Sequence, residues 1–212
     1  MCRIPKRLDY VDIFYCHRYD PETPVVETLR VIDDLIRQGK ILYAGVSMWT
    51  AAQIEEAVAG ADQYLLDRII VNQPEYNILN RSIEKEVIPV SEKYGIGQVV
   101  FSPLAQGVLT GKYRGGVIPE DSRGANEEIN QWVKELIAGG VLERVDQLED
   151  IARELGISLA QLSLAWILRE SNIASALVGA SRPEQVDENV KAVEVELSDD
   201  VTARIDELFP VN

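Results

Sequence analysis

The chain has 212 residues, 46% of them apolar, with 35 acidic against 21 basic side chains and a formal net charge of −14. That length and composition close a substantial core and exclude disorder over most of the chain. The acidic surplus argues against a nucleic-acid partner, which needs a basic face to meet its phosphates.

Two cysteines, Cys2 and Cys16, supply neither a disulfide framework nor the ligands of a structural zinc site. One histidine and scattered carboxylates offer no metal-ligand spacing, so no metal is expected. No stretch approaches the roughly 18 apolar residues of a membrane span. Met1 to Arg7 carries basic residues without a following apolar stretch. The expected setting is the cytoplasm, with no membrane partner.

In chain order, Val11 to Cys16 is an apolar run rich in β-formers and reads as a buried strand. Val25, Leu29, Ile32, Leu35 and Ile36 follow at helical spacing, closed by Gly39 and Lys40. Ile41 to Val46 is the second strand, and Thr50 with Gln53 opens the next helix at capping-box spacing. Ile69 to Val71 and Val99 to Phe101 are the third and fourth strands. A loop from Tyr113 to Asn130, rich in Gly and Pro, leads to a helix near Glu127 to Ile137 and two more helical stretches before Glu170. Ser158 with Gln161 repeats the capping-box spacing, Ile173 to Val178 is the fifth strand, and Ser181 with Glu184 opens another helix. Strand–helix alternation predicts a parallel sheet with crossover helices. The first four strands begin about 30 residues apart, the length of a βα unit in an eight-stranded barrel. With no repeat beyond this rhythm and no linker, the expectation is a single domain over 1–212.

Each apolar run finishes in polar residues: His17, Ser47, Asn72 with Gln73, Ser102, and Ser181 after Gly179. Polar residues commonly terminate strands, but ligands of parallel α/β folds sit at that C-terminal edge, and five in succession point to a site.

The segments LDYVDIFYCHRYD, GKILYAGVSMW, VNQPEYNILNR, VVFSPLAQGVLTGKY and ALVGASRPEQVDENVKAV resemble the C-terminal portion of an aldo-keto reductase. The resemblance runs from about Leu8 to Val193 and is closest to the branch holding bacterial general aldo-keto reductases and the β subunits of voltage-gated potassium channels. It implies an α/β fold of the TIM (β/α)8 barrel type, here N-terminally truncated to about five βα units, corresponding to strands four to eight. It also implies NADPH as cofactor, extended across the C-terminal mouth, and a small-molecule carbonyl substrate reduced to an alcohol. In the family the first three strands carry the catalytic aspartate, the tyrosine that donates the proton and the lysine that lowers its pKa. What precedes Leu8 is too short to hold them, so the isolated chain is expected to be inactive.

By resemblance His17 is the fourth catalytic residue, polarising the substrate carbonyl, although a strand-end histidine is also readily satisfied by backbone. Tyr15 and Tyr19 flank it, but no motif places a cation beside either phenol, so neither replaces the missing acid. Ser47 and Gln73 correspond to contacts to the nicotinamide carboxamide, which needs both a donor and an acceptor. Met48, after Ser47, stands where relatives have a polar residue and cannot replace that contact. Phe101 corresponds to the ring beneath the nicotinamide, or is a core aromatic. Ser102, Leu104, Gln106 and Gly107 lie in the SPLAQG turn that the family runs along the pyrophosphate, where a glycine permits close backbone approach. Lys112 and Arg123 correspond to further cofactor contacts, with solvated surface charge as the plain reading.

Gly179, Ser181, Arg182, Gln185, Glu188 and Asn189 form the adenosine end. Ser181 is the expected N-cap, and Pro183 sits just inside the helix, whose N-terminus favours an anion. Arg182 would pair with a 2′-phosphate or stack on adenine, which favours NADPH over NADH. A non-catalytic NADP(H)-binding regulatory subunit and a non-functional product remain open as alternatives. Five strands cut from a barrel have two edges, Val11 to Cys16 and Ile173 to Val178, so association through them is expected.

Overall fold

The computed structural model describes residues 8–211; Cys2 and the basic Met1 to Arg7 segment lie outside them. Among these described residues five strands, β1 (Val11–Cys16), β2 (Ile41–Ser47), β3 (Ile69–Gln73), β4 (Gly97–Val100) and β5 (Ile173–Ala176), lie in the order β1-β2-β3-β4-β5. Among the described residues eight α-helices alternate with or follow them: α1 (Val25–Arg37), α2 (Ala51–Tyr64), α3 (Val87–Tyr94), α4 (Gln131–Ala138), α5 (Leu142–Glu154), α6 (Leu159–Leu168), α7 (Pro183–Val190) and α8 (Asp199–Leu208). The α/β class and the parallel pairing expected from the strand–helix rhythm are present, as a barrel-type fold requires.

The described residues divide into two compact units, 8–74 with 83–99 and 75–82 with 100–211. In the first, β1 pairs with β2, β2 with β3 and β3 with β4, all parallel. Each crossover helix buries its apolar stripe: Leu29 and Ile32 of α1, Ile54, Val58 and Ala61 of α2, and Ile88 of α3 join Ala44 and Val46 of β2 in the core. Gly60 lets α1 and α2 come close, since a Cβ there would meet Val26 Cγ2 at 3.1 Å. Gly39 ends α1 with φ +67° in the left-handed region that favours glycine.

The second unit gathers Leu148 of α5, Leu162 and Trp166 of α6, Ile205 of α8, and Val108, Leu109 and Tyr113 of the segment after β4. β5 enters it through Leu177, whose N–H donates to the Val100 carbonyl at 2.8 Å.

Several boundaries differ from the sequence expectation. The fourth strand is Gly97–Val100, and Phe101 leaves the ladder to form an isolated parallel bridge with Glu75. Gln98 can lie inside the sheet because it accepts from Asn72 Nδ2 at 3.1 Å, and both side chains are fully buried. β5 stops at Ala176, two residues early. β1 is exposed through Asp12, Ile13 and Phe14 and is not a buried strand. α7 has Arg182 as its N-cap, so Ser181 is not the cap: Pro183, without an N–H, takes the first helical position and moves the cap one residue on. The Ser181–Glu184 capping box is absent. Instead Gln185 Oε1 accepts from the Ser181 and Arg182 amides, at 2.8 and 3.3 Å.

Candidate functional site

In the first unit, the ends of β1, β2 and β3 lie side by side, with Cys16 opposite Val46 and Ser47 opposite Gln73. His17, directly after β1, is exposed. Ser47 is buried, and its hydroxyl donates to the Gln73 carbonyl at 2.9 Å while accepting from Arg18 Nη1 at 3.4 Å. Arg18 also donates to the His17 carbonyl at 2.6 Å, so one guanidinium ties the loop after β1 to the end of β2. Residue 18 was not singled out by sequence; its role rests on a contact 29 residues away.

Tyr15 lies on the face that carries Gly45. A Cβ on Gly45 would stand 2.6 and 2.7 Å from carbons of the Tyr15 ring and 2.8 Å from Val71 Cγ1. The glycine therefore makes the seat on which the ring rests. The Tyr15 hydroxyl is hydrogen-bonded to the Gln73 side chain; burial pushes the phenol pKa up and that bond partly opposes the rise. The phenol is thus a weaker acid than usual. Burial likewise pushes the Cys16 thiol up. Met48 holds a left-handed backbone at φ +59°, and its N–H donates to the Gln73 carbonyl at 3.3 Å.

In the second unit, the chain leaving β4 makes an unusual turn. Ser102, Ala105 and Gln106 are non-glycine residues at φ +53°, +45° and +59°, followed by Gly107 at +96°. Each non-glycine residue there costs of order 1 kcal/mol, so the surroundings must impose the shape. Ser102 O accepts from the Ala105 amide at 2.9 Å and from Asn77 Nδ2 at 3.0 Å, and Gln106 Nε2 donates to Ser102 Oγ at 2.7 Å. Lys112 lies across Gly107, whose missing Cβ would meet its Cε at 3.4 Å and its Nζ at 3.6 Å. Gln106 and Arg123 share a cavity of about 400 Å³ with Glu128, Ile129, Gln131 and Trp132. Four of the expected residues, Ser102, Gln106, Gly107 and Lys112, therefore meet at one turn, and Arg123 lines the same cavity as Gln106; Leu104 supplies the carbonyl that accepts from the Gly107 amide at 2.8 Å.

Phe101, directly after β4, is half-buried. Beyond β5, Gly179, Ser181 and Arg182 are exposed. A Cβ on Gly179 would meet nothing within 4 Å, so no neighbouring group of the chain requires glycine there. Gln185 organises this segment through its bonds to residues 181 and 182. Glu188 offers its carbonyl to Gln161 Nε2 at 3.0 Å, and Asn189 is half-buried.

In the second unit, a left-handed turn with a lysine across its glycine suits a phosphate, and in the first unit the polar ends of β2 and β3 suit a carboxamide. The model of the aldo/keto reductase family matches residues 5–209. The chain belongs to the aldo/keto reductase family. The chain is 47% identical over 189 residues to a probable voltage-gated potassium channel subunit beta of Arabidopsis thaliana, covering 89% of the chain and 58% of that relative. It is 41% identical over 207 residues to a putative voltage-gated potassium channel subunit beta of Schizosaccharomyces pombe, covering 95% and 60%. It is 38% identical over 189 residues to the L-glyceraldehyde 3-phosphate reductase of Escherichia coli K12, covering 88% and 54%. The chain thus spans somewhat more than half the length of these curated relatives. Among the described residues there is no cluster of three metal-ligating side chains and no single helix long and apolar enough to cross a membrane.

Proposed function

We propose that the chain carries NADPH-binding residues of an oxidoreductase that reduces aldehydes or ketones to alcohols. The observation that carries this reading is the Ser102–Gly107 turn. Three left-handed non-glycine residues lead into Gly107 at φ +96°, where the missing side chain lets a phosphate approach the backbone closely beside Lys112. Lys112 beside Gly107 and Arg123 beside Gln106 add positive charge. Leu104 supports the turn through its carbonyl, and Phe101, half-buried at its start, offers a flat ring to a nicotinamide.

In the first unit, Ser47 and Gln73 would read a carboxamide, and His17 would donate a hydrogen bond to the carbonyl oxygen of the substrate, favouring negative charge there. Ser181, Arg182, Gln185, Glu188 and Asn189, with Gly179 leading in, would hold the adenosine end, and the exposed guanidinium suits a 2′-phosphate. NADPH, when bound, supplies the hydride. The alcohol also needs a proton on oxygen. No motif in the chain places a cation beside Tyr15 or Tyr19, so the 212-residue chain alone is expected to bind without turnover.

A second reading, a regulatory subunit that binds NADP(H) without turnover, is favoured by the higher identity to proteins named as channel β subunits than to the reductase. Fluorescence titration with NADPH, alongside Arg182→Ala and Phe101→Ala, tests the proposal. Saturable binding weakened about tenfold by each substitution supports it, and no binding overturns it. In an assay of aldehyde-dependent NADPH oxidation by this chain, absence of turnover fits both readings. Turnover sinks the regulatory one.

A further inference from the structure

The strained turn is held from outside by a loop that the site residues do not include. Asn77 is 1% exposed, and both ends of its carboxamide are used. Its Oδ1 accepts from the Leu79 and Asn80 amides, each at 2.9 Å, fixing its own loop as an Asx turn. Its Nδ2 donates to the Ser102 carbonyl at 3.0 Å, completing that oxygen's two acceptor positions together with the Ala105 amide. The loop is also pinned along its length. The Tyr76 amide donates to the Phe101 carbonyl at 3.4 Å, and Glu75 bridges to Phe101. Arg81 donates to Asp206 Oδ1 and to the Phe209 carbonyl, each at 2.7 Å, and its guanidinium lies 5.0 Å from the Trp166 ring centre. A buried arginine thus anchors one end of the loop to α8 and α6, while Asn77 grips the first left-handed residue of the turn.

We infer that Asn77 is a positioning residue for the Ser102–Gly107 turn, and that it sets the affinity for the pyrophosphate of the dinucleotide without touching it. The inference rests on the reading of that turn given under the proposed function. A turn with three left-handed non-glycine residues has lower-energy alternatives. Each alternative moves Gly107 away from Lys112 and changes the backbone that a phosphate would meet, so affinity falls by the fraction of molecules in the wrong shape. Holding Ser102 O from a rigid, buried loop excludes those alternatives before the ligand arrives.

Asn77→Ser is the test, because a serine hydroxyl can still accept from the Leu79 or Asn80 amide but is too short to reach Ser102. Two probes are titrated, NADPH and adenosine 2′-monophosphate, which lacks the pyrophosphate. The expected result is an NADPH Kd raised about tenfold, with the Kd for adenosine 2′-monophosphate unchanged. A general loss of structure would weaken both. An unaltered NADPH Kd in N77S, with binding by the unsubstituted chain, overturns this inference alone. Absence of NADPH binding by the unsubstituted chain overturns the functional reading and this inference together. If N77S does not fold, hydrogen exchange in the unsubstituted chain decides. Slow exchange of the Asn77 side-chain amide protons and of the Ala105 amide before any ligand is added supports the inference, and fast exchange overturns it.

Discussion

Gly45 shows how one missing methyl group shapes the first unit. It lies under the Tyr15 ring and against Val71, where a Cβ would come within 2.6 to 2.8 Å of carbon atoms. No rigid ring or strand backbone gives that much without moving, so Gly45→Ala should displace Tyr15 and disturb its bond to Gln73. The expected destabilisation is about 1 to 3 kcal/mol, the usual range for overpacking. A urea midpoint equal to that of the unsubstituted chain would count against it.

Asp33 gives a pH signature at the same scale. It is buried on α1, accepting from Arg37 Nε at 2.6 Å and from the Asp67 amide at 3.1 Å. The Arg37 guanidinium, followed by the Asp67 amide, holds its carboxyl below the usual range. The folded state therefore binds its proton less readily than the unfolded chain. This stability is full above the ordinary value near 4 and disappears as pH falls through the depressed one. Asp33→Asn should cost about 1 kcal/mol at pH 7, discounted because Arg37 is solvent-exposed. Unfolding at pH 7 and at progressively lower pH should show the gap narrowing on the acid side; a gap that widens there refutes the assignment.

At the scale of elements, helix starts test how much the sequence reveals. The Thr50–Gln53 and Ser158–Gln161 spacings both become complete capping boxes, with Ser158 Oγ accepting from the Gln161 amide at 3.2 Å and Gln161 Oε1 from the Ser158 amide at 3.0 Å. The same spacing at Ser181 does not, because Pro183 dictates where α7 begins. Ser158→Ala should thus cost about 1 kcal/mol in chemical unfolding, whereas Ser181→Ala should leave stability nearly unchanged. Equal losses would show that Ser181 caps after all.

Local signals of this kind, periodicity and caps, are short-range physics and were readable. What escaped them is long-range. Gln98 looks like a strand terminator by polarity, yet Asn72 on the neighbouring strand supplies its partner and keeps it inside β4. Arg18 and Asn77 matter through contacts 29 and 25 residues away, which no spacing rule encodes. The SPLAQG turn was legible as a place from its resemblance. Its three left-handed non-glycine residues were not, because a sequence does not display the surroundings that force Ser102, Ala105 and Gln106 out of their preferred backbone region.

For the molecule as a whole, the question is which surface meets other molecules first. Among the described residues β1 is laddered to β2 alone, and its neighbourhood shows apolar side chains to solvent, Tyr10 at 51%, Phe14 at 38% and Tyr43 at 52%. Such an edge offers unpaired backbone groups and an apolar face together, the combination that templates association. β5 is the weaker candidate, with four residues and only alanine and serine exposed in its middle. Opposing association is the net charge of −14, whose repulsion acts over roughly a Debye length, about 10 Å at 0.1 M salt. The two effects separate by ionic strength, since salt screens the repulsion while leaving the apolar contact intact. Sedimentation velocity of the 212-residue chain should show self-association that grows with concentration and with added salt. Phe14→Lys should move the population toward monomer with the helical circular dichroism unchanged, because it places a charge on the edge without touching the buried core. A chain that stays monomeric at high concentration and high salt would mean that β1 is shielded despite its exposure.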